Sequence, residues 1–272
     1  EPSPKEDLEK IPRLTRADLK KEAAPLLNRE IETEGVSIIA HEMDTNGIDY
    51  LTYLFDVCDI LPEDLPYLGI LKAVLGYVDT DNHSYAALAN EINIYTGGIG
   101  SSIGIYPNVK KQGEIGLYYE VRTKVLASRL PDAMRLIKEI LLTSHLSDEK
   151  RLYEILAQLK SRLQAGLSAS GHSVAYTRAL SYFSEQLREA EQARDAAQQR
   201  AHAKSLDAGA KNAAFTEKKQ QLMEKLSSLV KTIFTAERML VSATCEESEI
   251  PAVTQASAAL KNVLYVPDQP GK

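Results

Sequence analysis

The chain has 272 residues, enough for one large domain or two small ones. It is 44% hydrophobic and 26% charged, the balance of an ordinary globular protein. A formal net charge of −6 argues against nucleic acid as a partner, and no run approaches the roughly 18 apolar residues of a membrane span.

The first residues, Glu1-Pro2-Ser3-Pro4-Lys5-Glu6-Asp7, are polar and acidic, with neither a signal-peptide pattern nor an initiator Met. They read as a cut or processed end, and residues 267–272 read as the end of a linker. Two cysteines, Cys58 and Cys245, do not make a disulfide framework. Each follows a β-type run and reads as a free structural thiol in a reducing compartment.

Residues 1–34 are charged, helix-prone and interrupted by Pro12 and Pro25, which predicts a connector leading into the fold. Strands are expected at 36–41 and 50–58, the second from its alternation and its β-branched and aromatic residues. Asn46-Gly47 between them is the strongest short hairpin signal in the chain. Leu65, Leu68, Leu71, Leu75 and Val78 recur at helical spacing and predict a helix over 65–78. A second helix is expected over 84–95, broken by Thr96-Gly97-Gly98. Strands follow at 98–106 and 113–126.

Pro131 is placed to open a helix. A long helix is expected over 147–166, with Leu152, Ile155, Leu156, Leu159 and Leu163 as its stripe and Ser147-Asp148 as its start. Further helices are expected at 174–184 and 217–233, a last strand at 239–244 and a final helix from Pro251 to about 263. Residues 185–214, rich in Ala, Gln, Glu and Arg, predict an exposed helix or a partly disordered excursion. The expectation is one α+β domain over 35–266, with an antiparallel or mixed sheet of about five or six strands and helices packed on one face.

No motif for catalysis or metal binding is complete. His41-Glu42 begins an HExxH pattern, but Thr45 stands where the second ligand belongs. His83, His145, His172 and His202 have no local metal-ligand pattern and read as turn or surface residues. Asp79-Thr80-Asp81-Asn82-His83 resembles an oxygen-rich cation loop but lacks the Gly and distant Glu of a calcium loop, and reads as a solvated turn between helices. Thr96-Gly97-Gly98-Ile99-Gly100-Ser101-Ser102 follows a helix, opens a strand and has no Lys, so it reads as a tight turn and not a phosphate loop. Ser170-Gly171-His172 reads as a helix break. The candidate catalytic and metal residues are therefore none.

Several stretches, in order, carry a family resemblance: Thr45-Asn46-Gly47-Ile48-Asp49-Tyr50, Leu54-Phe55-Asp56, Leu65-Pro66-Tyr67-Leu68, Ser84-Tyr85-Ala86-Ala87-Leu88 and Thr96-Gly97-Gly98-Ile99. Together they resemble the presequence proteases of the pitrilysin–insulinase group of inverted-motif zinc metallopeptidases, at the segment that opens the second, non-catalytic half. Residues 12–26 resemble the exit of the helical linker between halves, and Ser170-Gly171-His172 also fits. The resemblance covers roughly residues 8–184 and 215–262; residues 185–214 are more polar and Ala-rich than the family there.

The resemblance implies two clam-like halves around a chamber, each of two related α/β domains, with zinc on an HxxEH helix in the first. This chain would be the third of the four domains, a non-catalytic, chamber-forming segment of a peptide-degrading zinc enzyme. The helix corresponding to the zinc helix would be 65–78, reading Leu68-Gly69-Ile70-Leu71-Lys72, so no metal site carries over. Zinc is expected only in the parent's catalytic domain, and no cofactor in this segment. The implied partners are the catalytic half of the same polypeptide and unfolded peptides, with neither nucleic acid nor membrane. Family members bind peptide by strand addition in the catalytic half; strand 98–106 reads as an ordinary sheet strand. The implied location is the bacterial cytoplasm, with a mitochondrial or plastid matrix as the alternative. A non-enzymatic binding or assembly module on the same fold is the second reading, and substrate-binding residues are not assigned.

Overall fold

In a computed structural model of the protein, residues 4–10, 14–19, 28–33, 35–61, 63–111, 114–180, 182 and 213–266 are described. Six strands are found among them: β1 (Arg29–Thr33), β2 (Val36–Glu42), β3 (Ile48–Asp56), β4 (Ile99–Pro107), β5 (Ile115–Leu126) and β6 (Met239–Cys245). The helices are α1 (Lys5–Glu9), α2 (Leu65–Val74), α3 (Tyr85–Tyr95), α4 (Leu130–Leu142), α5 (Glu149–Ala169), α6 (Gly171–Leu180), α7 (Ala213–Ile233) and α8 (Ile250–Lys261). The strands form one sheet in the order β1-β2-β6-β3-β5-β4. Only the β2–β6 pair is parallel; the other pairs are antiparallel. This is the mixed α+β sheet the sequence predicts, with its helices on one face.

Period-two alternation sets that face. Val36, Ile38 and Ala40 of β2, Leu51, Tyr53 and Phe55 of β3, Tyr119, Val121 and Val125 of β5, and Val241 and Ala243 of β6 are all buried. Several of the residues between them, such as Ser37, Thr52 and Ser242, are only partly covered. The helices supply the facing apolar groups, among them Leu68 and Leu71 of α2, Leu136 and Ile137 of α4, and Ile233 of α7. Phe234, just past α7, closes the centre. Its ring meets Phe55 edge-on at 5.0 Å and Tyr119 edge-on at 5.4 Å, the T-shaped geometry aromatic quadrupoles favour.

The Asn46-Gly47 turn forms as its residues demand, with Asn46 at φ 52° and Gly47 at φ 73°. It does not make a β2–β3 hairpin, because β6 lies between the two strands. A strand buried as regularly as β6 has a ladder to fill on both sides, and here it takes β2 on one side and β3 on the other. The turn is held across the end of β6: Gly47 N donates to Glu246 Oε1 at 2.9 Å, and Ala127 N donates to the Gly47 carbonyl at 2.9 Å.

Other expectations shift at their edges. The connector expected over 1–34 contains β1, which pairs antiparallel with β2 through Ile31 and Ile38. Helix α2 stops at Val74, where Leu75 turns extended and Gly76 takes φ 85°; Leu75 and Val78 still reach the core. Within the start signal at 147–150, Asp148 caps α5, its carboxylate accepting from Arg151 N at 2.9 Å. The helix expected at 174–184 corresponds to α6, which starts three residues earlier; residues 181, 183 and 184 lie outside the described residues. The polar stretch 185–214 lies outside the described residues except for its last two, which begin α7.

Truncating the central ring removes buried area and leaves a cavity between three elements. Phe234→Ala is expected to cost about 3–5 kcal/mol, read as a lower urea midpoint with an unchanged slope.

Candidate functional site

Helix α2 is the counterpart expected for a zinc-binding helix. Its inner face is Leu65, Leu68, Ile70, Leu71 and Val74, all buried, and Leu68 and Leu71 are fully so. Gly69 between them is buried too, and Lys72 points to the exposed side. The start of the helix is fixed by an ion pair, Lys225 Nζ to Asp64 at 2.7 Å. These are packing groups, and none of Leu, Gly or Ile can ligate a metal.

The histidines are dispersed. His41 lies in β2 beside Thr244 of β6, and its neighbour Glu42 pairs with Arg29 at 2.8 Å. His83 Nδ1 is 2.7 Å from Glu139 Oε1, and His145 Nε2 is 2.8 Å from Asp81 Oδ1. His172 is in α6, and His202 lies outside the described residues. Among the described residues, no three His, Cys, Asp or Glu side chains gather to hold a metal ion.

Residues 79–83 are more than a solvated turn. Glu139 of α4 is buried, and Thr80 Oγ1 and His83 converge on its carboxylate. Burial opposes the Glu139 charge, but hydrogen bonds from Thr80 and His83 outweigh it and hold the carboxyl below its ordinary range. Asp79 accepts from Tyr85 N at 2.7 Å. Oxygens that could have served a cation are thus engaged elsewhere: Thr80 on α4, Asp79 at the start of α3 and Asp81 with His145.

The glycines after α3 act as a turn. Thr96 Oγ1 donates to the Ile92 carbonyl at 2.7 Å, Gly98 N donates to Thr96 Oγ1 at 3.0 Å, and Gly97 N donates to the Lys124 carbonyl at 2.7 Å. Gly98 sits at φ 115°, a backbone open to glycine. Burial pushes the Cys58 thiol up, and pushes the Cys245 thiol up to about 11.

Two features escaped the sequence reading. On the less covered face of the sheet, Glu120 of β5 is fully buried. Ser102 Oγ donates to it at 2.6 Å, the Tyr106 hydroxyl donates to its other oxygen, and Arg122 lies 2.6 Å away. A Cβ on Gly104 would run into that carboxylate. Gly100, Ser102 and Gly104 at alternate positions of β4 were the available signal. With both oxygens engaged, Glu120 ties the edge strand to its neighbour.

The second is Asp49, fully buried on the core side of β3, with neither oxygen hydrogen-bonded. Its alternation with Leu51, Tyr53 and Phe55 was the signal. Burial first, then the charges of Glu249 and Glu246, push its carboxyl up to about 6.

Comparison with known proteins bears on this arrangement. The family of the peptidase-associated domain of M16 peptidases, subfamily C, matches residues 1–206. The chain belongs to that family. "Protein HypA" of Clostridium perfringens is 36% identical over 182 residues, 66% of this chain and 19% of that protein. The chloroplastic/mitochondrial presequence protease 1 of Arabidopsis thaliana is 28% identical over 180 residues, 65% of this chain and 16% of its own. The mitochondrial presequence protease of Eremothecium gossypii is 26% identical over 276 residues, 98% of this chain and 26% of its own. This chain thus spans between 16% and 26% of the lengths of these relatives. A conserved protein from Enterococcus faecalis shares the fold, with a TM-score of 0.53 at 14% identity over 90% of this chain and 54% of that one. The resemblance to the non-catalytic half of a pitrilysin-type peptidase therefore stands, as does the peptidase-related fold.

Asp49 makes a signed prediction. Its raised carboxyl holds a proton in the fold at pH values where the unfolded chain has lost it, so this group's contribution to stability falls as pH rises from about 4 to about 6. Asp49→Asn removes that loss. The variant should gain stability over the parent sequence at about pH 7.5, with the gain shrinking towards about pH 4, as read by urea unfolding. A gain of the same size at both pH values would refute the assignment.

Proposed function

We propose that this chain is a non-catalytic, chamber-forming segment, the third of four domains, of a zinc-dependent peptidase that degrades unfolded peptides. The observation that carries the reading is α2. Membership of the peptidase-associated family supplies the context, and the helix that would carry zinc in an active domain presents Leu68 and Leu71 to the core. A helix that has traded ligands for leucines gains about 2 kcal/mol of burial per side chain and can only support chemistry performed elsewhere.

In the intact enzyme, metal-activated water would attack the peptide carbonyl in the catalytic half. This segment's part is enclosure: a rigid wall that keeps folded proteins out and peptides in. The partner is the catalytic half of the same polypeptide. The compartment follows the parent, bacterial cytoplasm first and an organelle matrix second; among the described residues, no helix is long and apolar enough to cross a membrane.

The test compares the isolated chain with the full-length parent. The chain alone should bind no stoichiometric zinc by elemental analysis and cleave no unfolded peptide, whereas the parent does both. Stoichiometric zinc at His41 in the isolated chain would overturn the non-catalytic reading. A parent without zinc or peptidase activity would favour a binding or assembly module on the same fold.

A further inference from the structure

Asn46 is the one asparagine in the chain that is followed by glycine, and it is exposed. The nucleophile that attacks an asparagine side chain is the backbone amide of the next residue, and glycine brings no Cβ to shield that amide. At Asn108, also exposed, the next residue is the β-branched Val109, which crowds the same position. The turn between β2 and β3 thus joins an accessible side-chain amide to an unshielded backbone nitrogen.

The fold restrains that nitrogen. Gly47 N donates to Glu246 Oε1 at 2.9 Å, from the residue that follows β6. The Gly47 carbonyl accepts from Ala127 N at 2.9 Å, so residue 47 is tied down at both ends. Asn46 N donates to Asp44 Oδ1 at 3.3 Å, and Ile48 N donates to the Thr45 carbonyl at 3.3 Å. Ring closure needs two things that this arrangement withholds. Gly47 N must give up its proton, and a carboxylate against it disfavours the anion that would form. The peptide must also swing towards Asn46 Cγ, whereas the clamp holds Asn46 at φ 52° and Gly47 at φ 73°.

We propose that Asn46 is a deamidation site and that the hydrogen bond from Gly47 N to Glu246 holds it in check. In the reaction, Gly47 N loses its proton and bonds to Asn46 Cγ; the Cγ–Nδ2 bond breaks and the side-chain nitrogen leaves as ammonia. Water then opens the cyclic imide at either carbonyl, giving aspartate or isoaspartate. The sum is water consumed and ammonia released, with nothing oxidised or reduced. The product adds a carboxylate to a turn that already has Asp44, Asp49, Glu246 and Glu249 about it. In the isoaspartyl form, a side-chain carbon enters the backbone between β2 and β3, the two strands that β6 separates. The clamp therefore protects the end of the β6 ladders from a slow, irreversible change.

The experiment incubates the full-length parent in mildly alkaline buffer, both folded and in urea. The peptide spanning Asn46 is followed by mass spectrometry, with isoaspartate distinguished from aspartate. In urea, Asn46 should convert rapidly in every variant and Asn108 slowly; no conversion at Asn46 there overturns the site. In the folded protein the parent sequence should convert slowly. Glu246→Ala should convert about tenfold faster, the effect of losing one hydrogen bond to a charged acceptor. Glu246→Gln keeps an accepting oxygen without the charge and should fall between the two. It decides the matter if Glu246→Ala fails to fold. A folded rate equal to the urea rate, or Glu246 variants no faster than the parent sequence, overturns the guarding role. Phe234→Ala weakens the core with the clamp intact and should stay near the parent rate. If it accelerates as much as Glu246→Ala, the reaction runs through global unfolding and the proposal fails.

Discussion

The fold depends on one long-range insertion. Strand β6, near the end of the described chain, runs parallel to β2 and antiparallel to β3, and so joins two strands that a local turn would otherwise have paired with each other. Without β6, the β1–β2 pair has no connection to the rest of the sheet. The two helices that bracket β6 in sequence then deliver Phe234 and Val253 to the core. Such a non-local contact closes a loop of nearly two hundred residues, which slows folding more than it lowers stability.

With the sheet closed in this way, α2 has only one environment available, a dry face against β4 and its neighbouring helices. Its leucines are a consequence of that packing, and the absence of ligands follows from the same face. The polar groups that the fold gathers are mostly spent on structure: Thr80, His83 and Glu139 pin a loop, and Ser102, Tyr106, Glu120 and Arg122 lock an edge strand. Carboxylates used this way fix loops and strands to one another.

Most elements were legible because their periodicity is clean. Leu65, Leu68 and Leu71 announced α2, and Ile115 to Val125 announced β5. What was not legible has physical causes. Strand β1 reads Arg29-Glu30-Ile31-Glu32-Thr33, with the charges that edge strands use to avoid further pairing and little hydrophobic alternation to see. The β2–β3 hairpin failed because a turn signal reports local geometry and not which strand fills the adjacent ladder. Asp49 and Glu120 were hidden because a buried carboxylate in a strand differs from an exposed one only through its partners in space.

The claim that this segment holds no metal chemistry is tested most directly inside the intact parent. Replacing His41 by Asn together with Glu42 by Gln removes the His-Glu pair that begins the incomplete HExxH pattern while leaving α2 untouched. Unchanged zinc content and an unchanged peptide-cleavage rate are predicted. Loss of zinc, with the protein still folded, would contradict the account.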